Sequence, residues 1–176
     1  MLRYGCGKVV KFMKKAVQIF GWAMLACYLL VLGYWMFIQN LTFWYDCRDM
    51  EFALFFRLRA NFIPFRSIAE YLARAAEGSM NADYIVGNLL GNFVLGVPLG
   101  VLLPCLFPKL QTFAKTLAAA FGFMLVLEAA QFLLRFGAFD IDVLILRLLG
   151  CALGYALLKL PVINRLLRRI SIWSMA

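Results

Sequence analysis

The sequence predicts an all-α integral membrane protein with four transmembrane helices and an outer, interfacial amphipathic segment between the first and second helices. Of its 176 residues, 65% are hydrophobic and only 15% are charged, and the mean hydropathy is +0.85. Soluble domains usually carry about 25% charged residues. Four apolar stretches are each long enough, as helices, to cross a hydrocarbon core about 30 Å thick. Four spans in a chain of 176 residues leave no room for a large soluble catalytic domain.

The apolar stretches define the predicted organisation of the chain. Residues 1–16 form a basic cytoplasmic N-terminus, residues 17–38 the first span, and residues 39–83 an extracytoplasmic interfacial loop with a helix. Residues 84–160 hold the other three spans, and residues 161–176 form a basic cytoplasmic helix. The first stretch follows lysines, as in a secretory signal, but it exceeds the usual apolar run of about 7–15 residues. We therefore expect a retained signal anchor.

The positions of the basic residues predict the orientation. With both termini in the cytoplasm, all the lysines fall on the inner side, together with four arginines and no acidic residue. This distribution follows the positive-inside rule. The net charge of +9 is thus explained by topology and by anionic lipid on the inner leaflet, and no nucleic-acid partner is expected.

Several kinds of chemistry are excluded or disfavoured by composition. Histidine is absent, so imidazole cannot serve as a base, a nucleophile or a metal ligand. The five cysteines show no paired spacing and mostly fall in apolar runs, which favours neither a disulfide framework nor a zinc site. No Ser, Cys or His arrangement indicates covalent catalysis, and no cofactor is predicted.

An amphipathic helix is predicted within the outer segment. Ser67 and Glu70 have the spacing of a capping box, and Glu70 and Arg74 have the spacing of an i, i+4 ion pair. Apolar residues repeat with helical period up to about Gly78. The helix is either a surface element that returns the chain to the second span or part of a ligand site.

Polar residues within the predicted spans cost free energy there and need partners. On each span they share one helical face with each other or with glycines that permit close helix approach. These positions are Asn88, Asn92, Gly96 and Gly100 on the second span, Glu128 and Gln131 on the third, and Arg147, Gly150 and Gly154 on the fourth.

Helical rise places the five polar side chains in one layer of the outer leaflet. Glu128 is expected to face Arg147 or the two asparagines. One interpretation is a buried ion pair with the amides as interhelical hydrogen bonds, and the other is a functional pocket, since intramembrane ionisable residues often mark sites. Above the layer, Asp140 and Asp142 either cap the fourth helix or coordinate a hard divalent ion.

Several short motifs follow one another along residues 59–155. They are Asn61-Phe62-Ile63-Pro64-Phe65, Asn88-Leu89-Leu90-Gly91-Asn92, Pro98-Leu99-Gly100, Leu103-Pro104, Glu128 with Gln131, Phe139-Asp140-Ile141-Asp142, Leu149-Gly150 and Gly154-Tyr155. In this order and spacing they resemble the VanZ-like family of small bacterial membrane proteins, which is associated with glycopeptide and especially teicoplanin resistance. The resemblance implies a bacterial cytoplasmic membrane location, a three-span family core at residues 84–160 and an envelope-related role.

Two positions depart from the family pattern. Val143 stands where the family usually carries a second acidic residue, and Arg147 stands where it usually carries Asn. Arg147 is therefore either a ligand for an anion or only the buried partner of Glu128.

The sequence leaves three classes of function open. The first is a binder in which an outward-facing polar pocket, rimmed by Arg57, Arg59 and Arg66, recognises the anionic head of an envelope amphiphile, either a lipid-tailed glycopeptide or a cell-wall lipid. The second is an intramembrane enzyme with Glu128 as general acid or base and the two aspartates as metal ligands. The third is a helical scaffold for another membrane protein. The candidate ligand-binding residues are Asn61, Arg66, Asn88, Asn92, Glu128, Gln131, Asp140, Asp142 and Arg147.

The predicted orientation can be tested by labelling. In a background without the native cysteines, the variant Asn81→Cys should react with a membrane-impermeant thiol reagent added from outside the cell, because the loop before the second span is predicted to be extracytoplasmic. Reaction from the inner face alone would reverse the assigned topology.

Overall fold

The computed structural model describes residues 2–38 and 40–169, with side chains from residue 12 onward. In this part of the chain four helical stretches are long and apolar enough to cross a membrane, which confirms the predicted fold class. They are Phe12–Cys47, Ala82–Leu106, Phe113–Leu133 and Ile141–Leu158. The end of the predicted C-terminal helix, residues 170–176, lies outside the described residues.

The elements follow one another in a simple order. The first half comprises α1 (Leu2–Gly33), a π-helical turn (Tyr34–Ile38), α2 (Leu41–Cys47), α3 (Phe52–Arg59), β1 (Ala60–Asn61) and α4 (Arg66–Ala76). The second half comprises α5 (Ala82–Leu106), a 3₁₀ turn (Pro108–Leu110), α6 (Phe113–Leu133), β2 (Phe139–Asp140), α7 (Ile141–Leu158) and α8 (Pro161–Arg169).

The segment expected to hold one surface helix contains three helices, α2, α3 and α4. The predicted amphipathic helix is present as α4, and its position at a membrane interface stays a prediction. The prediction of a capping box was wrong, because α4 begins after Phe65 and no side chain of its own first turn caps it. Glu70 pairs with Arg66, at 3.0 Å, rather than with Arg74.

The two-residue strands β1 and β2 form a parallel pair in which Ala60 lies opposite Phe139 and Asn61 opposite Asp140. This pairing joins the segment before α4 to the turn before α7. It also directs the side chains of Asn61 and Asp140 toward each other, since opposed residues in a sheet share a face.

The closest helix contact is between α5 and α7, and glycines on both helices make it possible. A Cβ atom built on Gly96 would lie 1.8 Å from the carbonyl oxygen of Arg147, and one on Gly150 would lie 1.8 Å from that of Phe93. Gly154 is packed in the same way against Val97. The close helix approach that the glycines predicted is therefore present, and the structure shows that it joins the second and fourth spans and leaves no room for a side chain.

Helix α6 packs against this pair and completes the core. Buried residues from three helices meet there, among them Leu99 of α5, Ala120 and Met124 of α6, and Leu144 and Cys151 of α7. Helix α1 joins from the side, where the Tyr28 hydroxyl donates to the Leu95 carbonyl at 2.9 Å. The polar side chains of the spans are thus held within a packed bundle.

The glycine contact yields a stability prediction. Gly150→Ala should destabilise the protein by about 1–3 kcal/mol, because the added methyl group forces α5 and α7 apart. Thermal unfolding of the purified protein measures the effect. Gly91→Ala is the matched control, since a Cβ at Gly91 would meet no atom of a neighbouring helix within 4 Å. Equal melting temperatures for the two variants would contradict the tight contact.

Candidate functional site

A buried ion pair lies at the centre of the polar layer. The Arg147 guanidinium of α7 donates from Nη1 to Oε2 of Glu128 on α6 at 2.8 Å, and the two side chains are 7% and 3% exposed. The expectation that Glu128 faces Arg147 is thus confirmed. Neither charge is left without a partner in the low-dielectric interior, where an isolated charge would be costly.

Helix α5 adds amides to this pair. Arg147 donates from Nε to Oδ1 of Asn92 at 3.1 Å. The Asn92 amide in turn donates to the Asn88 carbonyl at 2.8 Å, and the Asn88 amide to the Tyr84 carbonyl at 3.1 Å. Asn88 and Asn92, which we call the asparagine stripe, therefore connect the ion pair to the end of α5 where Tyr84 lies. These contacts favour the interpretation of Arg147 as the partner of Glu128.

Gln131 has a different role from the one its spacing suggested. Its amide donates to the Met36 carbonyl at 2.9 Å, in the π-helical turn that ends α1, and to the Phe136 carbonyl at 3.4 Å. The Asn40 amide donates to the same Met36 carbonyl at 3.0 Å. Because a π-turn interrupts the regular helical hydrogen bonds, its carbonyls need such side-chain donors. Gln131 thus anchors α1 to α6.

Asp142 links α7 to the start of α4. Its carboxylate accepts hydrogen bonds from three backbone N–H groups, those of Phe65 at 2.5 Å, Ser67 at 2.8 Å and Ile68 at 3.2 Å. These are the free donors of a helix N-terminus, which favours negative charge. Asp142 therefore supplies the cap that the sequence had assigned to Ser67.

Asp140 caps its own helix. Its Oδ1 accepts the backbone N–H of Asp142 at 2.9 Å, as an N-cap residue does, and the Asn61 amide at 3.0 Å. The Asn61 amide also reaches the Ser67 hydroxyl at 3.0 Å. The capping interpretation of the Asp-x-Asp motif accounts for these contacts. Within the described chain no group of three or more His, Cys, Asp or Glu residues could hold a metal ion.

A cavity of about 270 Å³ lies beside these contacts, and three arginines line it. Arg57 and Arg59 come from the last turn of α3, and Arg66 comes from the first turn of α4. The rest of the wall comes from α3, the paired strands, the turn before β2 and α4, namely Leu58, Ala60, Asn61, Ser67, Glu70, Tyr71, Ala138, Phe139 and Asp140.

A second cavity, of about 20 Å³, continues inward between α4, α5 and α7. Its polar wall residues include Tyr71, Asn88, Asn92 and Asp142, and the volume suffices for a single water molecule. Burial, with the neighbouring Tyr84 as a further cause, raises the pKa of Tyr71 above its ordinary value of 10.

The predicted site residues thus divide into groups. Asn61, Arg66 and Asp140 line the arginine cavity, and Asp140 also lines the small cavity together with Asn88, Asn92 and Asp142. Glu128, Gln131 and Arg147 line neither of the two. Sequence reasoning missed Ser67 and Tyr71, which line both cavities; their i, i+4 spacing on one face of α4 was the available signal.

The membrane-length helices and the enclosed polar contacts define a polytopic helical membrane protein. The chain belongs to the VanZ/LLP1 family, whose model matches residues 25–164. This match confirms the predicted VanZ-like resemblance and extends it from residues 59–155 to residues 25–164. Comparisons with curated proteins and with solved structures gave no match.

The ion pair yields a prediction that separates the two roles considered for Arg147. Arg147→Asn should destabilise the protein by about 3–5 kcal/mol, because it leaves the Glu128 carboxylate buried without a cation. Chemical or thermal unfolding in detergent measures the loss. The double variant Glu128→Gln/Arg147→Asn removes both charges and should recover most of the stability. An unchanged melting temperature for Arg147→Asn alone would show that the pair contributes little.

Proposed function

We propose that this protein binds the anionic head group of an envelope amphiphile in the arginine cavity. The observation that carries the proposal is the convergence of Arg57, Arg59 and Arg66, from two different helices, on one cavity of about 270 Å³. Guanidinium groups suit carboxylates and phosphates because their planar fork donates two hydrogen bonds at once.

The donors of these arginines remain largely available. Arg57 makes no hydrogen bond or ion pair with another described residue, and Arg59 lies over the Phe43 ring at 5.0 Å, a contact that uses the face of the guanidinium. Arg66 uses its Nε for Glu70 and keeps its terminal nitrogens. An anion entering the cavity therefore meets donors that need not first break a strong contact.

The charge balance of the wall also favours an anion. Three arginines stand against two acidic residues, Glu70 and Asp140, and Asp140 already accepts two hydrogen bonds. Glu70 is exposed and paired with Arg66, so solvent screens its charge. The positive charge of the cavity is thus not cancelled.

The amphiphilic part of the proposal rests on the apolar side chains around the cavity. Leu58 lines it, and Phe62 and Phe65 lie on the segment between β1 and α4; these three are 62%, 56% and 62% exposed. A ligand with an apolar tail could cover these side chains while its head lies among the arginines. Family membership makes a glycopeptide-resistance or other envelope role the natural setting for such binding.

The enzymatic and scaffold alternatives receive less support. Glu128 is held by Arg147, and Asp142 is occupied by three backbone donors, so neither carboxylate is placed as a free acid, base or metal ligand. A scaffold has no need of an arginine-lined cavity. We therefore propose binding without a reaction, with the membrane lipid or a lipid-tailed antibiotic as partner.

Binding can be tested with undecaprenyl phosphate as the anionic probe and undecaprenol as its uncharged match. Arg57→Gln should weaken binding of the phosphate at least about tenfold, because a hydrogen bond to a charged group contributes roughly 1.5–3 kcal/mol. Affinity is measured by quenching of intrinsic fluorescence or by native mass spectrometry, and teicoplanin serves as a second probe.

Arg48→Gln is the control variant, since Arg48 is half-exposed, pairs with Asp49 and does not line the cavity. Its affinity should match that of the unmodified protein. Equal binding of undecaprenyl phosphate and undecaprenol, or an unchanged affinity in Arg57→Gln, would refute recognition of the anionic head by the cavity.

A further inference from the structure

A further cavity, with apolar walls, lies at the end of the bundle opposite the arginine cavity. It measures about 240 Å³ and is bounded by three helices: α1, α5 and α8. Its lining is Val17, Gln18, Phe20, Gly21, Met24, Val101, Leu102, Cys105, Leu106 and Leu167, so all but one of its side chains are apolar or glycine.

Helix α8 is amphipathic, and its apolar face covers one side of the cavity. Ile163 and Leu167, together with Val101 and Cys105 of α5, pack against Tyr155 and Leu158 at the end of α7. The opposite face is basic, and Arg165, Arg168 and Arg169 are all exposed. No cation among the described residues lines the cavity itself, but Arg168 follows Leu167 about 100° around the helix, so a cation flanks the apolar wall. The arginines of α8 are called the rim below.

The charges of the surrounding segments have a single sign. All nine acidic residues of the chain fall within residues 46–83 and 128–142, which belong to the other end or to the interior of the bundle. The charged residues close in sequence to the cavity lining are cations: Lys14 and Lys15 precede Val17 in α1, and Lys109 follows Leu106 in the 3₁₀ turn. A ligand here meets apolar walls, and the charged residues nearest to those walls in sequence are all cations.

We infer that this cavity is a binding site for an anionic phospholipid. An acyl chain occupies the apolar space between α1 and α5, and the phosphate lies against the arginines of α8. Basic pockets between transmembrane helices are suited to anionic lipid head groups, and each Lys or Arg near a membrane surface contributes about 1 kcal/mol to such attraction. The exposed Gln18 amide has no hydrogen-bond partner among the described residues and is available to the ester or glycerol oxygens.

The occupant is a lipid rather than a free anion, because a phosphate without a tail leaves the apolar walls unused. It is an anionic rather than a zwitterionic lipid, because the rim has no carboxylate to accept a choline or amine. This inference is independent of the proposed function, since the two cavities share no residue.

The test uses the full chain in a mild detergent, with dioleoyl phosphatidylglycerol, dioleoyl phosphatidylcholine and glycerol 3-phosphate as the three probes. Native mass spectrometry gives the apparent affinity of the first bound molecule. We expect phosphatidylglycerol to bind at least tenfold more tightly than phosphatidylcholine, and glycerol 3-phosphate to show no measurable binding.

Two variants address the two parts of the site. Cys105→Trp fills the apolar space, and Cys27→Trp, at an exposed position of α1, is its control. The pair Arg168→Gln/Arg169→Gln removes two rim charges and should weaken phosphatidylglycerol binding about thirtyfold. Arg48→Gln, on a different surface, should leave it unchanged.

Several outcomes would overturn the inference. Equal affinity for the two phospholipids would remove the role of charge, and binding of glycerol 3-phosphate as tight as that of the lipid would remove the role of the cavity. If Cys105→Trp fails to fold, the surface variant Arg168→Gln/Arg169→Gln decides the question alone, and an unchanged affinity in it refutes the site.

Discussion

The close contact between α5 and α7 determines the geometry of the polar interior. Glycines on both helices let the backbones touch, so that Gly96 lies against the carbonyl of Arg147. One turn away, the same approach brings Asn92 within 3.1 Å of the Arg147 guanidinium, which also reaches Glu128 on α6. Wider helix spacing would leave these groups unsatisfied, and hydrocarbon offers no replacement donor or acceptor. Glycine packing between α5 and α7 thus brings the buried charges close enough to their hydrogen-bond partners to offset the cost of burying them.

The start of α7 has a comparable role at the end where the short helices lie. Asp140 caps α7 and holds Asn61, while Asp142 caps α4 from another part of the chain. Because Asp142 fixes the first turn of α4, it also fixes Ser67 and the neighbouring Arg66 beside the paired strands. The arginine cavity is therefore positioned by hydrogen bonds between carboxylates and backbone, and these bonds connect it through α7 to the ion pair.

The spans and the ion pair could be predicted from the sequence because hydrophobic length and helical spacing are local properties. Glu128, Arg147 and the glycines were recognised in this way. Gln131 was assigned to the same layer because it shares a face with Glu128, yet its amide turns to Met36, whose carbonyl is freed by a π-turn that no residue pattern revealed. The cap of α4 and the pairing of Asn61 with Asp140 depend on residues more than 70 positions apart. Such contacts follow from tertiary packing, which a local pattern does not contain.

The segments assigned to the outer side contain arginines but no lysine. The lysines all fall in the segments assigned to one side of the membrane, where a hydrated point charge suffices to set orientation. At the other end the cations are arginines, and several make directional contacts: Arg135 donates to the carbonyls of Cys47, Arg48 and Met50, and Arg59 lies over Phe43. Membrane orientation alone does not require arginine rather than lysine in these segments. The planar guanidinium of arginine donates hydrogen bonds in fixed directions, which suits recognition of a ligand. Arg57, Arg59 and Arg66 all line one cavity, so their donors can act on the same ligand. The selection of arginine there is an argument for recognition of an anion that does not depend on the family.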